Sequence, residues 1–174
     1  HSLWRQEHRY QVERVAWSPD TRRIASSSRS VAVNVWDSQT GERFFSQQGR
    51  GWAVAWSPDG ERLAWTSDKD VMVGDGVTGE VGFAYREHRV RTYSVDWSPK
   101  HQIASGDGAG EVHIYDDENG RSVLKPGRHG APVRAVKWSP DGRQLACGGD
   151  NGVSIWDVAE NRCLVRCGDR KAMS

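Results

Sequence analysis

The sequence predicts an all-β chain built from four similar units, each a small four-stranded sheet. Three observations carry this. Trp-Ser-Pro recurs at Trp17, Trp56, Trp97 and Trp138, at spacings of 39, 41 and 41 residues. A second landmark follows each Trp by about 19 residues: Val35-Trp36-Asp37, Val73-Gly74-Asp75, Ile114-Tyr115-Asp116 and Ile155-Trp156-Asp157. Finally, apolar residues alternate with polar ones, and no stretch beyond a few residues has helical periodicity. Composition also points to a repeat, since 9 Trp in 174 residues imply a position used again and again.

Within one unit the elements fall in order. The first strand ends on the landmark Trp, as in Val15-Ala16-Trp17 and Val136-Lys137-Trp138. Ser-Pro-Asp-Gly then supplies a turn, with Pro fixing φ and Gly accepting the exit conformation. A short apolar second strand follows (Ile24-Ala25-Ser26, Leu63-Ala64-Trp65, Ile103-Ala104-Ser105, Leu145-Ala146-Cys147). The third strand shows the cleanest alternation: Val31, Val33, Val35; Val71, Val73; Val112, Ile114; Val153, Ile155. A turn such as Gln39-Thr40-Gly41 leads to a weaker fourth strand, such as 42–46 or 162–167.

A His or Gln nine residues before each Trp (His8, Gln47, His88, His129), together with Trp-Ser-Pro-Asp-Gly and Trp-Asp, resembles the WD-repeat (WD40) family of β-propellers. The resemblance covers residues 2–167. It implies a β-propeller with four four-stranded blades, over about 8–47, 48–87, 88–127 and 128–167, in one unit of 1–174. Residues 1–7 are an extra outer strand, which pairs with a neighbour rather than staying on an edge. In this family a loop His, a Ser or Thr, a turn Asp and the third-strand Trp often form a buried network in each blade. By position the fourth unit has His129, Asp150 and Trp156, with Cys147 at the hydroxyl position. The third has His88 and Ser105, with Ala109 for the Asp and Tyr115 for the Trp. The first has His8, Ser26 and Trp36, with Ser30 for the Asp. The second keeps Asp68 and has Gln47, Trp65 and Gly74.

The loop leading into each innermost strand faces a common central surface in such a propeller, and the resemblance makes these positions frequent partner contacts. Four residues before each Trp stand Glu13, Trp52, Tyr93 and Arg134; six before stand Gln11, Arg50, Arg91 and Pro132. Aromatics and arginines are the side chains enriched at interaction hot spots. The expected partner-binding set is therefore Trp52, Tyr93, Arg50, Arg91, Arg134 and Glu13, receiving a protein or peptide. The alternative for Trp52 and Tyr93 is packing against neighbouring blades. Arg86, Arg89 and Arg91 read as a solvated basic face or as a contact for a carboxylate or phosphate. Trp4, Trp52 and Trp65 fit none of the repeat's Trp positions.

Other classes find little support. A formal net charge of +1 gives no electrostatic case for nucleic acid or an anionic membrane. No apolar run approaches the ~20 residues a membrane helix needs. No cofactor, phosphate loop or metal site is expected, because His101 and His113 stand alone on different elements. The grouping His129, Cys147, Asp150 fits a nucleophilic triad on paper, but the repeat places those positions for structural reasons, so no enzyme is expected. Three unpaired cysteines fit a reducing, cytoplasmic setting. Four blades are few for this family, so the chain is expected to be half of an eight-bladed ring, closed in a homodimer of 4+4 blades. The alternatives are a trimmed piece of a longer propeller, as His1 favours, and a self-assembling or designed half-propeller with no evolved ligand.

Overall fold

A computed structural model describes residues 11–29 and 31–168, and every described element is a β-strand. The extra strand expected over 1–7, His8 and Ser30 lie outside the described residues. The first blade contains β1 (Val12–Trp17), β2 (Arg23–Ser28), β3 (Val31–Asp37) and β4 (Arg43–Gln48). The second contains β5 (Val54–Trp56), β6 (Arg62–Ser67), β7 (Asp70–Asp75) and β8 (Val81–Tyr85). The third contains β9 (Thr92–Trp97), β10 (Gln102–Asp107), β11 (Val112–Asp116) and β12 (Ser122–Leu124). The fourth contains β13 (Val133–Trp138), β14 (Gln144–Gly149), β15 (Gly152–Asp157) and β16 (Arg162–Cys167). Each blade is an antiparallel meander in chain order.

The recurring residues make the turns. Ser18 Oγ donates to Asp20 Oδ1 (2.5 Å) and accepts the N–H of Arg23 (2.9 Å). Ser57 with Asp59 and Arg62, and Ser139 with Asp141 and Gln144, repeat the arrangement. The serine hydroxyls hold the carboxyls of Asp20, Asp59 and Asp141 below the usual range. Gly60 and Gly142 then take left-handed φ values of 76° and 64°. Thr21 and His101 hold the same conformation with a side chain attached, which costs each some strain. The Asp of the second landmark makes the next turn: Asp37 Oδ1 accepts the N–H groups of Gln39 and Thr40, and Asp75 and Asp116 do likewise.

Cohesion comes from blade on blade. Ala25, Val33 and Val35 of the first blade meet Val54, Trp56, Leu63 and Trp65 of the second. Ala64, Val71 and Val73 of the second meet Val95, Trp97 and Ile103 of the third. Ala104, Val112 and Ile114 of the third meet Val133, Val136, Trp138 and Leu145 of the fourth. Polar ties reinforce these interfaces. The Trp56 indole donates to the Ala16 carbonyl (3.1 Å), and Asp96 accepts the N–H of Trp138 (2.7 Å).

The landmark Trp buries against the preceding blade, leaving Trp56, Trp97 and Trp138 only 8, 6 and 5% exposed. Trp17 has no preceding blade among the described residues and is 59% exposed. At the other end of the stack Val153 is 46% exposed, whereas Val112, at the same place in the third blade, is 1% exposed.

The second blade solves its packing differently. Gly74 stands where the first and fourth blades have Trp36 and Trp156, and the ring of Trp65 reaches that space from the adjacent strand. A Cβ built on Gly74 would lie 3.0 Å from Trp65 Cη2 and 2.5 Å from the Glu80 carbonyl oxygen. Trp65 is fully buried core, which removes it from the residues open to a binding role.

Candidate functional site

The loops that lead into the inner strands are held to one another by backbone hydrogen bonds across blade boundaries. Gly51 N–H donates to Ser28 O, Thr92 N–H to Asp68 O, and His129 N–H to Gly110 O, each at 2.9 Å. The Thr92 hydroxyl adds a bond to Lys69 O (2.8 Å). Thr66 Oγ1 accepts the N–H groups of both Trp52 and Ala53, fixing the backbone beneath the Trp52 ring. Side chains projecting from this frame therefore start from set positions.

They meet in one cavity of about 910 Å³, to which all four blades contribute. All six expected partner-binding residues line it: Glu13 from the first blade, Arg50 and Trp52 from the second, Arg91 and Tyr93 from the third, and Arg134 from the fourth. Arg14, Arg29 and Gly49 complete the wall; the repeat register assigns neither arginine a loop-face position. The position six residues before each Trp splits, since Arg50 and Arg91 line the cavity while Gln11 and Pro132 do not.

The aromatics and arginines are interleaved. Trp52 and Tyr93 meet edge to face, their centroids 6.2 Å apart. The Arg91 guanidinium lies 4.4 Å from the Trp52 ring centroid, and that of Arg134 lies 5.0 Å from the Tyr93 ring centroid. Each ring thus carries a cation from the following blade, a contact worth about 0.5–1 kcal/mol at exposed sites. Trp52 is 8% exposed as a result, so it is a floor under Arg91 rather than a protruding anchor. Packing against neighbours and lining the site are both true of Trp52 and Tyr93.

Three of the arginines have carboxylate partners. Arg29 Nε lies 2.6 Å from Glu13 Oε1, Arg134 Nε 3.4 Å from Asp150 Oδ1, and Arg91 Nε 3.7 Å from Asp68 Oδ1. Asp68 and Asp150, which the family pattern places in buried blade networks, are instead exposed carboxylates at the rim of this face. Asp150 also keeps the Arg134 guanidinium firmly protonated.

Among the described residues the buried network is fullest in the third blade, and a different residue supplies its acid. Asp107, not the position of Ala109, receives His88: Nδ1 lies 3.0 Å from Asp107 Oδ2, and Nε2 lies 2.7 Å from Ser105 Oγ. Asp107 Oδ1 also accepts the N–H groups of Ala109 and Glu111. Burial raises the Asp107 pKa, but the His88 and backbone hydrogen bonds outweigh it and leave the carboxyl below its ordinary value. The carboxylate assigns the His88 proton to Nδ1, leaving Nε2 to accept the Ser105 hydroxyl. All three side chains are buried, so this Asp-His-Ser order pins loops and presents no nucleophile to solvent.

In the fourth blade the His129–Cys147–Asp150 grouping is not assembled. His129 Nδ1 bonds Ser154 Oγ (2.9 Å), Trp156 donates to the same hydroxyl (3.1 Å), and Asp150 faces Arg134. Cys147 is buried, and burial pushes its thiol up to about 12. Among the described residues no group of three or more His, Cys, Asp or Glu is placed to hold a metal ion.

Four meander blades stacked in chain order, with a loop-built cavity across one end, define the class as a propeller-type repeat protein. The family description "WD domain, G-beta repeat" matches residues 2–37 and 120–157, which supports a WD40-repeat family. Members of this family are generally non-enzymatic scaffolds for protein partners. A comparison with curated proteins returns no match.

Proposed function

We propose that this chain is a non-catalytic scaffold that binds a protein or peptide segment in the loop-face cavity. One observation carries the reading: side chains from four separate blades converge on a single cavity over a hydrogen-bonded loop frame. Such preorganisation lowers the ordering cost of binding. Peptides selected on the purified chain from an unbiased display library test it. Their binding is expected to fall at least about tenfold in Arg134→Ala and Tyr93→Ala, with the unfolding midpoint of Arg134→Ala unchanged. Selected peptides indifferent to both substitutions would place the site elsewhere.

A second reading concerns the two ends of the stack. Val15 and Trp17 at one end, and Val153 at the other, occupy positions buried between blades elsewhere in the chain, and Val165 one that is partly buried there. Each end face is thus the half of an interface already used three times, and a second copy can complete both in a closed 4+4 ring. Sedimentation equilibrium is expected to give about 39 kDa, twice the 19.5 kDa chain, and the Trp17→Glu variant 19.5 kDa. A 19.5 kDa parent chain would refute closure by a second copy and turn attention to further blades of a longer chain. We place the protein in a reducing compartment such as the cytoplasm, where Cys147, Cys163 and Cys167 stay as thiols.

A further inference from the structure

The loop-face cavity carries more positive charge than the chain as a whole would suggest. Five arginines and one glutamate line it, in a protein whose net charge is +1. The rim carboxylates Asp68 and Asp150 reduce that excess without cancelling it. Their pairings with Arg91 and Arg134 are long, 3.7 and 3.4 Å, and solvent-exposed, the kind of ion pair that contributes little and exchanges readily. Among the described residues Arg50 has no carboxylate within ion-pair distance, and Arg14 donates to the carbonyl of Glu13 (2.9 Å).

The stacking decides what this charge is for. An apolar ligand seeking Trp52 or Tyr93 would first have to displace the guanidinium that lies over each ring, losing two cation–π contacts. An anion meets those guanidinium groups already in place. Stacking restrains each planar fork while leaving N–H donors available at its edges, and a restrained guanidinium is suited to bidentate capture of a carboxylate or phosphate. The rings act as supports for the arginines. We infer that the cavity selects an anionic peptide segment, its carboxylate or phosphate groups received by Arg50, Arg91 and Arg134, with Trp52 and Tyr93 as positioning residues. This rests on the loop-face reading above and adds the chemistry of the partner.

The test uses three fluorescein-labelled 12-residue peptides of equal length, rich in Glu, Gln or Lys, plus a phosphoserine version of the Gln peptide. A labelled oligo-dT of 12 nucleotides is the nucleic-acid arm. Fluorescence anisotropy at low salt is expected to show the Glu or phosphoserine peptide binding at least about tenfold more tightly than the Gln peptide, from one or two charge-assisted bonds. Raising the salt is expected to weaken that binding. Arg50→Ala, whose side chain is exposed and has no carboxylate partner among the described residues, is expected to weaken it several-fold without changing the unfolding midpoint. Trp52→Phe is expected to retain binding and Trp52→Leu, apolar but unable to stack, to weaken it. Equal binding of the Gln and anionic peptides overturns the inference. Neutral display-selected peptides that still depend on Arg134 and Tyr93 would overturn the anionic selectivity while leaving the loop-face site standing. Anionic peptide binding insensitive to Arg50, Arg91 and Arg134 refutes this site, and tighter binding of oligo-dT refutes the peptide class.

Discussion

His113 makes the stability of this protein depend on pH in a way that can be isolated. The ring sits on β11 inside the blade, 3% exposed. Tyr85 from β8 places its hydroxyl 2.9 Å from Nδ1, the His88 ring centroid lies 4.2 Å away, and Glu111 Oε2 lies 3.5 Å from Nε2. Lys125 faces it across the groove, and Asp107 lies on the far side of His88. Burial pushes its pKa down from 6.5 to about 4; the nearby His88 ring and the Lys125 ammonium add to that, while Glu111 opposes it. Because the folded pKa lies below the unfolded one, the unfolded chain takes the proton first. Above about pH 6.5 the group is neutral in both states and contributes no pH dependence. Stability is lost as pH falls from about 6.5 towards 4, and levels off below that. The full difference corresponds to about 3 kcal/mol, of which about 2 kcal/mol is lost by pH 5. Urea unfolding at pH 7, 6 and 5 measures it, with His113→Phe as the non-titrating control, because burial also lowers the His129 pKa and contributes in the same direction. The variant is expected to start less stable, having lost the Tyr85 bond, but to fall about 2 kcal/mol less between pH 7 and 5. Parallel losses in parent and variant would refute the assignment.

Four other outcomes follow from the packing. Trp65→Ala should destabilise by about 3–5 kcal/mol by emptying the space opposite Gly74, and Gly74→Ala by about 1–3 kcal/mol by driving a methyl into the Glu80 carbonyl, both read by chemical unfolding. Asp107→Ala strands His88 and two backbone N–H groups, so a loss of about 3 kcal/mol or more is expected; a loss below 1 kcal/mol would mean water replaces the carboxylate. Iodoacetamide at pH 8 is expected to label Cys167 and Cys163 in the folded protein and Cys147 only on unfolding, with mass spectrometry assigning the sites.

The blades were legible because two short motifs each perform one local task. Trp-Ser-Pro-Asp closes a turn through Ser18, Ser57 and Ser139, and the second-landmark Asp closes another through Asp37, Asp75 and Asp116. Local hydrogen bonding of this kind depends on neighbours in the chain and survives in the sequence. The six loop-face residues were legible for the same reason, since register alone brings equivalent positions to one surface. The blade networks were not, because they depend on long-range contacts that tolerate relocation. Asp107 performs the task expected two positions later, where Ala109 stands. Asp68 and Asp150 occupy the family position and yet turn outward to Arg91 and Arg134. Arg14 and Arg29 reach the cavity by side-chain length, which no register predicts. The role of Trp52 as a covered floor was likewise hidden, since nothing local shows that Arg91, 39 residues on, lies over its ring.

The exchange of Trp65 for the missing side chain at Gly74 bears on how the chain finds its own order. Four near-identical sheets could dock in the wrong sequence or with a neighbour's copy, and arrays of similar repeats are prone to that misassembly. A ring carried on the wrong strand, opposite a position that accepts no Cβ, gives the second sheet a shape the others do not share. The irregularity then works as a key, letting one correct succession of sheets outcompete permuted ones.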